Sequence, residues 1–582
     1  MYVRTVKVPS SNGSVNVYVR IVEAYREDGK VKQRVIADLG RKDVLVAVLP
    51  KLRRLLEGTP QVQGEAEQPL DIVDSSTWGP VLVIRNLFEH LGLWKVLDRL
   101  LGAAREVDWA DRALVLVAAR MIQPCSEHGL AGLLETEYFC DRRGRRFVPN
   151  WHQRKRVRVH HQQLDAWYRT LDKLVEAKAE IEVALYGRLR DLFSIRPDLV
   201  LYDITSTYFE GSGPEGLAKH GYSRDGKRRN VQVIVGVVMV AGWPIVHHVW
   251  EGNRVDGSTV QEVIDDLRGR FEFERVVFVG DRGMVTERNL TGLRDGGHGY
   301  LVGVKRRRNP VAQRWLSVIE ESRWIECPGG INAQEKPTPP RTRVQEVPSG
   351  EEGVRVFVVD SEERREYEQG MRVRSMELLR NKLEKVRKQV ESGRLSEESE
   401  IGAAAERAMQ AHHGGRYYRW VLEKGRFRFE EDPQRLDDEK RLEGKYLISS
   451  TEQNLGPQEA VRMYKELSDV ERGFRSLKDV LEMRPIYHQV APRVKAHIFV
   501  AALALLLSRL LERQLKDAGV NLSAPDAMQA LSTLRAVSFR LAGQPIRRGV
   551  SSGSPRARQV LRALGIADTK PPSSPKTAAT VM

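Results

Sequence analysis

The most constraining feature of the chain is a change of hydrophobic period near residue 198. Before it, apolar residues recur at three- and four-residue spacing, as in 164–193, which predicts amphipathic helices. After it come β-branched runs that predict strands, together with an amphipathic helix over 259–271. These strand-like runs lie at 199–211, 231–240, 244–250, 275–283 and 299–305. Strands and helices mixed in this way predict an α/β domain.

Shifts in pattern and composition divide the rest of the chain. A polar segment with Gly and Pro, 58–69, is predicted to be a linker. The predicted regions are an N-terminal β-rich module (1–57), a helical and DNA-binding region (70–195), a first part of the α/β core (196–305), an interruption (306–440), a second part of the core (441–515) and a basic C-terminal tail (516–582). Beyond residue 551 the tail is rich in Ser and Pro, so we expect much of it to be disordered.

The charge balance points to a polyanionic partner. Lys and Arg exceed Asp and Glu by 94 − 78 = +16, which favours nucleic acid first and an anionic membrane surface second. The densest basic segment, 141–161, has eight Lys or Arg against one Asp, with Phe147 and Trp151 interleaved. Candidate DNA contacts in it are Arg142, Arg145, Arg154, Lys155 and Arg156. A solvated loop followed by an exposed helix start is the alternative.

A second basic cluster follows the first β-rich run. Its cations are Lys219, Arg224, Lys227, Arg228 and Arg229. Either these side chains contact DNA, or they belong to an exposed hairpin loop; the sequence supports both equally.

Several other classes are disfavoured. The most apolar run, Ile498 to Leu507, has about ten residues, whereas a membrane span needs roughly 20. The N-terminus has no long apolar stretch, so no signal peptide and a cytoplasmic location are expected. The three cysteines, Cys125, Cys140 and Cys327, are far apart and predict neither a disulfide framework nor a zinc site. No phosphate-binding or dinucleotide-binding glycine motif is present, so no nucleotide cofactor is expected.

Two acids lie in or at the end of apolar strands. Asp203 lies within LYDITSTYFEG, where a carboxylate is costly unless it is paired, hydrogen-bonded or bound to metal. Asp281 ends the run RVVFVGD, and active sites of α/β sheets lie at the carboxyl ends of strands. For either residue alone, a structural Asp that caps a turn is the simpler interpretation.

The third acid, Glu471, lies on a predicted helix over 464–488. Its buried stripe is Val470, Phe474, Leu477 and Leu481. Tyr464, Glu471 and Lys478 are seven residues apart, so a continuous helix would place them on one second face, with Arg475 one turn from Glu471. An exposed face with an ordinary Glu471–Arg475 pair is the alternative.

The combination of these segments resembles bacterial insertion-sequence transposases of the DDE type, in the group with a Y-x2-R-x3-E-x6-K signature. Tyr464, Glu471 and Lys478 match the signature, and Leu467 stands where it has Arg. The Arg-Pro-Ile-Tyr-His stretch at 484–488 resembles one branch of that group.

The other matches follow in order, and the resemblance covers roughly residues 1–515. Asp203 lies in a D-x-T-S-T-x-F/Y context and Asp281 in a V-x-D-R-G context. Between them lie G-Y-S-R-D-G at 221–226 and G-N-x-x-D-x-x-T at 252–259. Asp256 in the last stretch is a rival second acid, which we interpret as a turn or N-cap residue.

The resemblance implies a ribonuclease-H-like mixed-sheet core with a large insertion at 306–440. It implies that Asp203, Asp281 and Glu471 bind two divalent ions, Mg²⁺ or Mn²⁺. Hard cations take oxygen ligands, and two ions about 4 Å apart can assist an in-line displacement at a phosphodiester.

Roles for surrounding residues are implied as well. Lys478 and Arg475 would hold a backbone phosphate, and Tyr464 would position the strand end. Trp324 and Trp420, in the insertion, are candidates for stabilising a flipped base, although core packing is the simpler alternative.

The prediction is a DNA transposase that binds the terminal inverted repeats of its element, cleaves the ends and joins them to target DNA. Synapsis of two ends implies a homodimer or a higher oligomer, associated with the bacterial nucleoid. Two alternatives stay open: a nuclease with the same core but no strand transfer, and a non-catalytic DNA-binding protein from a decayed element.

Overall fold

The computed structural model describes most of the chain in two compact units. The described residues are 2–9, 15–27, 30–46, 49, 70–102, 108–148, 156–195, 199–271, 273, 275–281, 286–307, 309–328, 341–411, 416–541 and 544–572. The smaller unit comprises Met1–Ile72 and Phe539–Arg547, and the larger comprises Val73–Ser538 and Arg548–Met582. The predicted linker, 58–69, lies outside the described residues.

The N-terminal segment of the smaller unit forms an antiparallel sheet in the order β1-β2-β3. The strands are β1 (Tyr2–Pro9), β2 (Val15–Glu27) and β3 (Lys30–Arg41). They occupy the part of the sequence that is rich in β-branched residues. Val19 and Val22 of the middle strand are buried, and most other side chains are exposed.

The described residues of the region 70–195 begin with a strand and continue with six helices. These elements are β4 (Leu70–Thr77), α1 (Gly79–His90), α2 (Leu93–Leu101), α3 (Trp109–Ile122), α4 (Leu130–Thr136), α5 (Arg156–Glu176) and α6 (Lys178–Phe193). The strand corrects the expectation that helices begin near residue 70. It belongs to a sheet in the order β17-β16-β4, with β16 (Arg535–Leu541) and β17 (Arg547–Val550). Partners more than 400 residues away cannot be found from a local pattern.

The centre of the larger unit is a nine-stranded sheet. Later strands of the chain, β10 (Ile325–Glu326), β11 (Thr342–Val347), β12 (Arg355–Ser361) and β15 (Lys445–Ser450), form one side of it, and the strand order is β10-β11-β12-β15-β9-β8-β5-β6-β7. Its core strands are β5 (Leu199–Tyr208), β6 (Gln232–Val240), β7 (Trp243–Glu251), β8 (Val277–Gly280) and β9 (Gly299–Val304). Strands β5, β8 and β9 run parallel, whereas β5-β6-β7 is an antiparallel meander. The mixed α/β architecture expected from the sequence is therefore present.

Helices precede the parallel strands β8 and β9: α7 (Val260–Phe271) joins β7 to β8, and α8 (Glu287–Asp295) joins β8 to β9. The first buries Val263, Ile264 and Leu267 on the face that the sequence predicts. Strands β5, β8 and β9 are parallel neighbours, so their carboxyl ends lie at the same end of the sheet.

The interruption 306–440 is not one insertion but two parts. The first extends the central sheet, with α9 (Pro310–Ser317), β10 (Ile325–Glu326), β11 (Thr342–Val347) and β12 (Arg355–Ser361), of which β12 pairs with β15 (Lys445–Ser450). The second has its own apolar core and consists of α10 (Glu362–Glu391), α11 (Glu398–Ala411), β13 (Tyr418–Glu423), β14 (Arg426–Glu431) and α12 (Pro433–Leu442). The predicted boundary at 306 leaves β10, β11 and β12 outside the core. The sequence does not show that they join the central sheet, because β15, with which β12 pairs, follows the second part in the chain.

The end of the larger unit is helical. Its helices are α13 (Pro457–Lys465), α14 (Leu467–Arg475), α15 (Ala491–Asp517), α16 (Ala524–Leu531) and α17 (Pro555–Ala563). Helix α15 is long and apolar enough to cross a membrane, but 78% of its most apolar window is buried inside the protein. That burial is what the central helix of a packed core shows.

The C-terminal tail is more ordered than the sequence suggests. Residues 544–572 are described, and α17 buries Ala557, Val560 and Leu561. Further along, the carbonyl oxygen of Thr569 accepts a hydrogen bond of 2.7 Å from the indole of Trp78. The expectation of disorder after 551 is wrong for this segment because composition does not show that its few apolar residues share one helical face.

Candidate active site

The first two acids occupy neighbouring positions on parallel strands. Leu201 of β5 pairs with Val279 of β8, a register that leads two residues further to Asp203 and Asp281, and the charge of Asp281 acts on Asp203. Adjacent residues of parallel strands point to the same face of a sheet. Asp203 is half-buried, and Asp281, directly after β8, is exposed.

Asp203 has an acidic environment. Burial raises the pKa of Asp203 to about 7, and the negative charges of Asp281 and Glu471 add to the rise. A hydrogen bond of 2.8 Å from the Ile204 N–H and the positive charge of Arg224 oppose it. Asp281 and Glu471 are therefore each close enough to Asp203 for their negative charges to act on it.

Glu471 reaches this environment from helix α14, which packs against β5 and β6. The helix buries Val470 and Phe474 and leaves Glu471 exposed. Gly473 faces the sheet, and a Cβ there would lie at ordinary van der Waals distance, 3.7 Å, from the sulfur of Met239 on β6. The predicted apolar stripe therefore holds the helix on the sheet.

The predicted continuous helix is broken. Helix α13 ends at Lys465, α14 begins at Leu467, and Ser476–Val480 form a π-helical turn. A π-helical turn accommodates one extra residue per turn, so the seven-residue spacing from Glu471 to Lys478 is not that of an ideal α-helix.

Tyr464 lies on the neighbouring strand pair. Its ring stacks on Tyr446 of β15 at 5.8 Å between centroids. A Cβ on Gly303 of β9 would lie 2.3 Å from the Tyr464 hydroxyl, so glycine leaves the space that the phenol occupies. Gly280 of β8 pairs with Val302 of β9, and the next residues in this register are Asp281 and Gly303. The phenol therefore lies one strand away from the second acid.

Lys478 pairs with an acid that sequence reasoning did not single out. Its Nζ lies 2.7 Å from Oδ1 of Asp225, whose side chain is 4% exposed. Arg484 also contacts Asp225 and reaches Asp479 at 2.6 Å. Burial lowers the pKa of Lys478, and the Asp225 carboxylate opposes this. The acid of the G-Y-S-R-D-G stretch thus ties that loop to the chain that follows Glu471.

The two glycine-containing stretches pack against each other. A Cβ on Gly221 would lie 2.0 Å from the carbonyl oxygen of Gly252, so neither position has room for a side chain. The buried Gln232 amide donates to the carbonyl oxygens of Tyr222 (3.0 Å) and Gly252 (2.8 Å). Thr259 accepts a hydrogen bond of 2.8 Å from Tyr202, the neighbour of Asp203. These contacts hold the two stretches against each other and against β5, the strand that carries Asp203.

The rival acid, Asp256, begins a short 3-10 turn, Asp256–Ser258, before α7. Its side chain lies outside the described part of the structure. The backbone position agrees with a turn residue.

Several predicted DNA contacts have partners within the protein. Arg142 contacts Asp98 (2.6 Å), Asp108 (3.3 Å) and Asp111 (3.2 Å) and stacks over Trp94. Arg145 pairs with Asp141 at 2.7 Å. Phe147, expected to be available to bases, is buried against Trp167. Arg154 and Lys155 lie outside the described residues, as does the side chain of Arg156.

The remaining predicted contacts are more exposed. Lys227 and Arg228 are exposed on the loop after β5, and the Lys227 ammonium lies 5.6 Å from the Tyr208 ring centroid. Arg475, at the end of α14, is exposed as well.

Trp324 and Trp420 both make polar contacts through their indole N–H. Trp324 donates to Glu321 at 2.6 Å and lies under the Arg343 guanidinium. Trp420 donates to Glu406 at 3.1 Å and packs on the core of the second part of the interruption. The packing alternative describes both.

Family comparison decides the class of protein. Residues 196–507, more than half of the chain, match the transposase DDE domain, and residues 3–69 match the N-terminal domain of IS1634 family transposases. The chain belongs to the bacterial insertion-sequence DDE transposases. It is therefore a DNA transposase, as the resemblance implies. The DDE match spans the sheet, the interruption and α13 to most of α15, so all three candidate acids lie inside it.

Two further comparisons concern curated proteins and solved structures. A search of curated proteins found no match for this transposase. Among solved structures, it is similar to one described as a piggyBac transposase synaptic complex with hairpin DNA, determined by cryo-EM. The TM-score is 0.36 at 11% identity, covering 86% of this chain and 87% of that chain.

The transposase also contains a buried cluster that sequence reasoning missed. Among the described residues, Glu127, His488 and His497 form the group of three whose possible ligand atoms lie within 4.8 Å of one another. Both ring nitrogens of His497 already have partners, the Met483 carbonyl and the Arg120 guanidinium, each at 3.1 Å. These contacts explain the cluster as a polar core that joins α3, the 484–488 stretch and α15.

Proposed function

We propose that this transposase cleaves the ends of its insertion sequence and joins them to target DNA at a site formed by Asp203, Asp281 and Glu471. The observation that carries the proposal is that three carboxylates come together: Asp203 within β5, Asp281 directly after the parallel strand β8, and Glu471 on a helix packed against β5, with the charges of Asp281 and Glu471 both acting on Asp203. A mixed sheet that carries one acid within a parallel strand and another at the carboxyl end of its neighbour supports a ribonuclease-H-like core.

Two divalent cations, Mg²⁺ or Mn²⁺, fit this donor set. The Asp203 carboxylate, on which the charges of Asp281 and Glu471 act, would share with those two groups the oxygen ligands that hard cations prefer. Such ions, when bound, activate the attacking water or 3′-hydroxyl and stabilise the leaving oxygen of the phosphodiester. In this proposal Asp203, Asp281 and Glu471 hold the ions.

The surrounding residues orient the reacting strand. Tyr464 lies one strand from Asp281 and would position the strand end. Arg475 is exposed one turn after Glu471, where its guanidinium would hold a backbone phosphate. Lys478, paired with Asp225, would act on phosphate only alongside that carboxylate, and it also holds the loop in place.

Duplex DNA is the proposed substrate, as terminal inverted repeats and as target. Lys227 and Arg228 are the exposed cations on the loop after β5 that best suit phosphate contact. Arg154, Lys155 and Arg156 remain predicted contacts. Synapsis of two ends requires at least a homodimer.

The test is a strand-transfer assay with labelled element ends, Mg²⁺ and a target plasmid. We expect Asp203→Asn, Asp281→Asn and Glu471→Gln to lower cleavage and joining by about 10³-fold or more while end binding persists. Asp256→Asn is the matched control, and we expect it to retain activity.

The outcomes separate the alternatives. Cleavage without joined product in the unmodified protein indicates the nuclease, and binding without cleavage indicates a decayed element. Full activity in Asp281→Asn together with inactive Asp256→Asn would contradict the assignment of the second acid.

A further inference from the structure

The most exposed large aromatic or aliphatic side chain in the described part of the chain is Tyr222. It is 82% exposed, whereas most large apolar side chains of the larger unit are buried. A single exposed aromatic residue is ordinary on a protein surface. Tyr222 is unusual because the backbone that carries it is held from both sides.

The contacts that fix the loop come from elements around the site. The Gln232 amide donates to the Tyr222 carbonyl oxygen at 3.0 Å. The Arg224 N–H donates to Oγ of Ser206, three residues after Asp203 on β5, at 3.0 Å. Gly221 packs directly on the backbone of Gly252.

The loop is also tied to the chain after α14. Asp225 bonds Lys478 and Arg484, so the segment three residues beyond Tyr222 is fixed by two ion pairs. Because the backbone of the loop is already fixed, binding through the Tyr222 side chain does not have to order the loop, which lowers the entropic cost of binding.

The electrostatic surroundings indicate which partner fits the ring. The Arg224 guanidinium lies 6.0 Å from the Tyr222 ring centroid, and its positive charge also acts on Asp203. Lys227, Arg228 and Arg229 are exposed on the same loop. An aromatic ring among cations is the arrangement by which proteins bind unpaired bases, with the ring stacking on the base and the cations on its phosphates.

We propose that Tyr222 stacks on an unpaired base of the DNA strand beside the scissile phosphate. The proposal rests on the site assigned above, because the loop is anchored to the strand that carries Asp203. It adds a binding site for single-stranded DNA at a place where the breaking of a duplex creates unpaired nucleotides. Base stacking on an aromatic ring tolerates any sequence, so the site does not require a particular base.

The experiment measures binding to DNA in EDTA, so it needs no cleavage. The probes are a forked duplex with 2-aminopurine in its single-stranded arm and a fully paired duplex of the same length. We expect the full-length protein to bind the fork more tightly and to quench 2-aminopurine. Tyr222→Leu should weaken fork binding by about tenfold and abolish the quenching, with duplex binding unchanged. Tyr222→Phe and Tyr222→Trp should retain both.

The matched control is Tyr367→Leu, since Tyr367 is another exposed tyrosine (68%) on α10. Unchanged fork binding in Tyr222→Leu overturns the proposal, and so does an equal loss on fork and duplex. An unfolded variant is identified by circular dichroism, in which case Tyr222→Gln replaces it. Because EDTA removes any metal, the fork-binding result does not depend on catalysis. It can therefore be interpreted even if the variants of Asp203, Asp281 and Glu471 contradict the proposed function in the strand-transfer assay.

Discussion

Two segments that are both rich in Lys and Arg have different electrostatic surroundings in the structure. In the segment 142–146, the guanidiniums of Arg142, Arg145 and Arg146 contact acids of the same helical region. In the loop 219–229, the one acid, Asp225, faces inward and Lys227 and Arg228 face solvent. A count of basic residues therefore does not distinguish cations that stabilise the fold from cations available to DNA.

The physical reason is the position of the acids. Asp111, which pairs with Arg142, is 3% exposed, and burial raises its pKa while the Arg142 charge opposes the rise. A buried carboxylate without its cation is costly, so the pairing contributes to folding. In the loop 219–229 the buried carboxylate is that of Asp225. Its ion pairs with Lys478 and Arg484 therefore contribute to folding, whereas Lys227 and Arg228 stay exposed.

The largest effect is expected at Asp225. Asp225→Ala leaves Lys478 and Arg484, 11% and 26% exposed, without their shared carboxylate. We expect the free energy of unfolding to fall by about 3–5 kcal/mol, measured by urea denaturation. The control is Asp479→Ala, the exposed partner of Arg484, with an expected change below about 1 kcal/mol. Equal losses in the two variants would show that burial of Asp225 does not matter.

The next effect is expected at Arg142. Arg142→Ala removes the partner of buried Asp111, and we expect a loss of about 2–3 kcal/mol in the free energy of unfolding. Arg143→Ala, an exposed neighbour, should change it by less than about 0.5 kcal/mol. A drop in DNA affinity at unchanged stability in Arg142→Ala would restore Arg142 as a DNA contact and end the contrast between the segments.

The smallest effect is expected on the loop cations. The double variant Lys227→Ala with Arg228→Ala should keep its stability but bind duplex DNA several-fold more weakly. The slope of log affinity against log salt should fall by about 0.9 for each DNA phosphate that the variant no longer neutralises. Lys382→Ala with Lys385→Ala, on exposed positions of α10, is the control and should leave the slope unchanged. A salt slope that does not change in the loop variant would place DNA elsewhere.

Much of the candidate site follows from local pattern. The apolar strand runs predict that Asp203 lies within a strand and that Asp281 follows one, and the stripe Val470, Phe474 and Leu477 predicts which helix face is buried. Both are short-range consequences of strand and helix periodicity. The break between α13 and α14 has no such signal, because residues 458–480 contain no proline that would mark it.

The partners of the charged residues could not be predicted. Asp225 meets Lys478 across more than 250 residues, and Arg142 meets three acids from two helices and a loop. Sequence separation of this kind has no periodic signal. The same limit applies to β4, whose neighbour β16 lies more than 400 residues away.

The sequence by itself determined the types of element, the order of the motifs and the family to which this transposase belongs, because these depend on residues close together in the chain. The tertiary structure alone decided which glycines have no room for a side chain, which cations are neutralised and which aromatic ring faces solvent. These properties depend on desolvation and on contacts between distant segments, and they exist only after the sheet, the helices and the loop 219–229 have packed together.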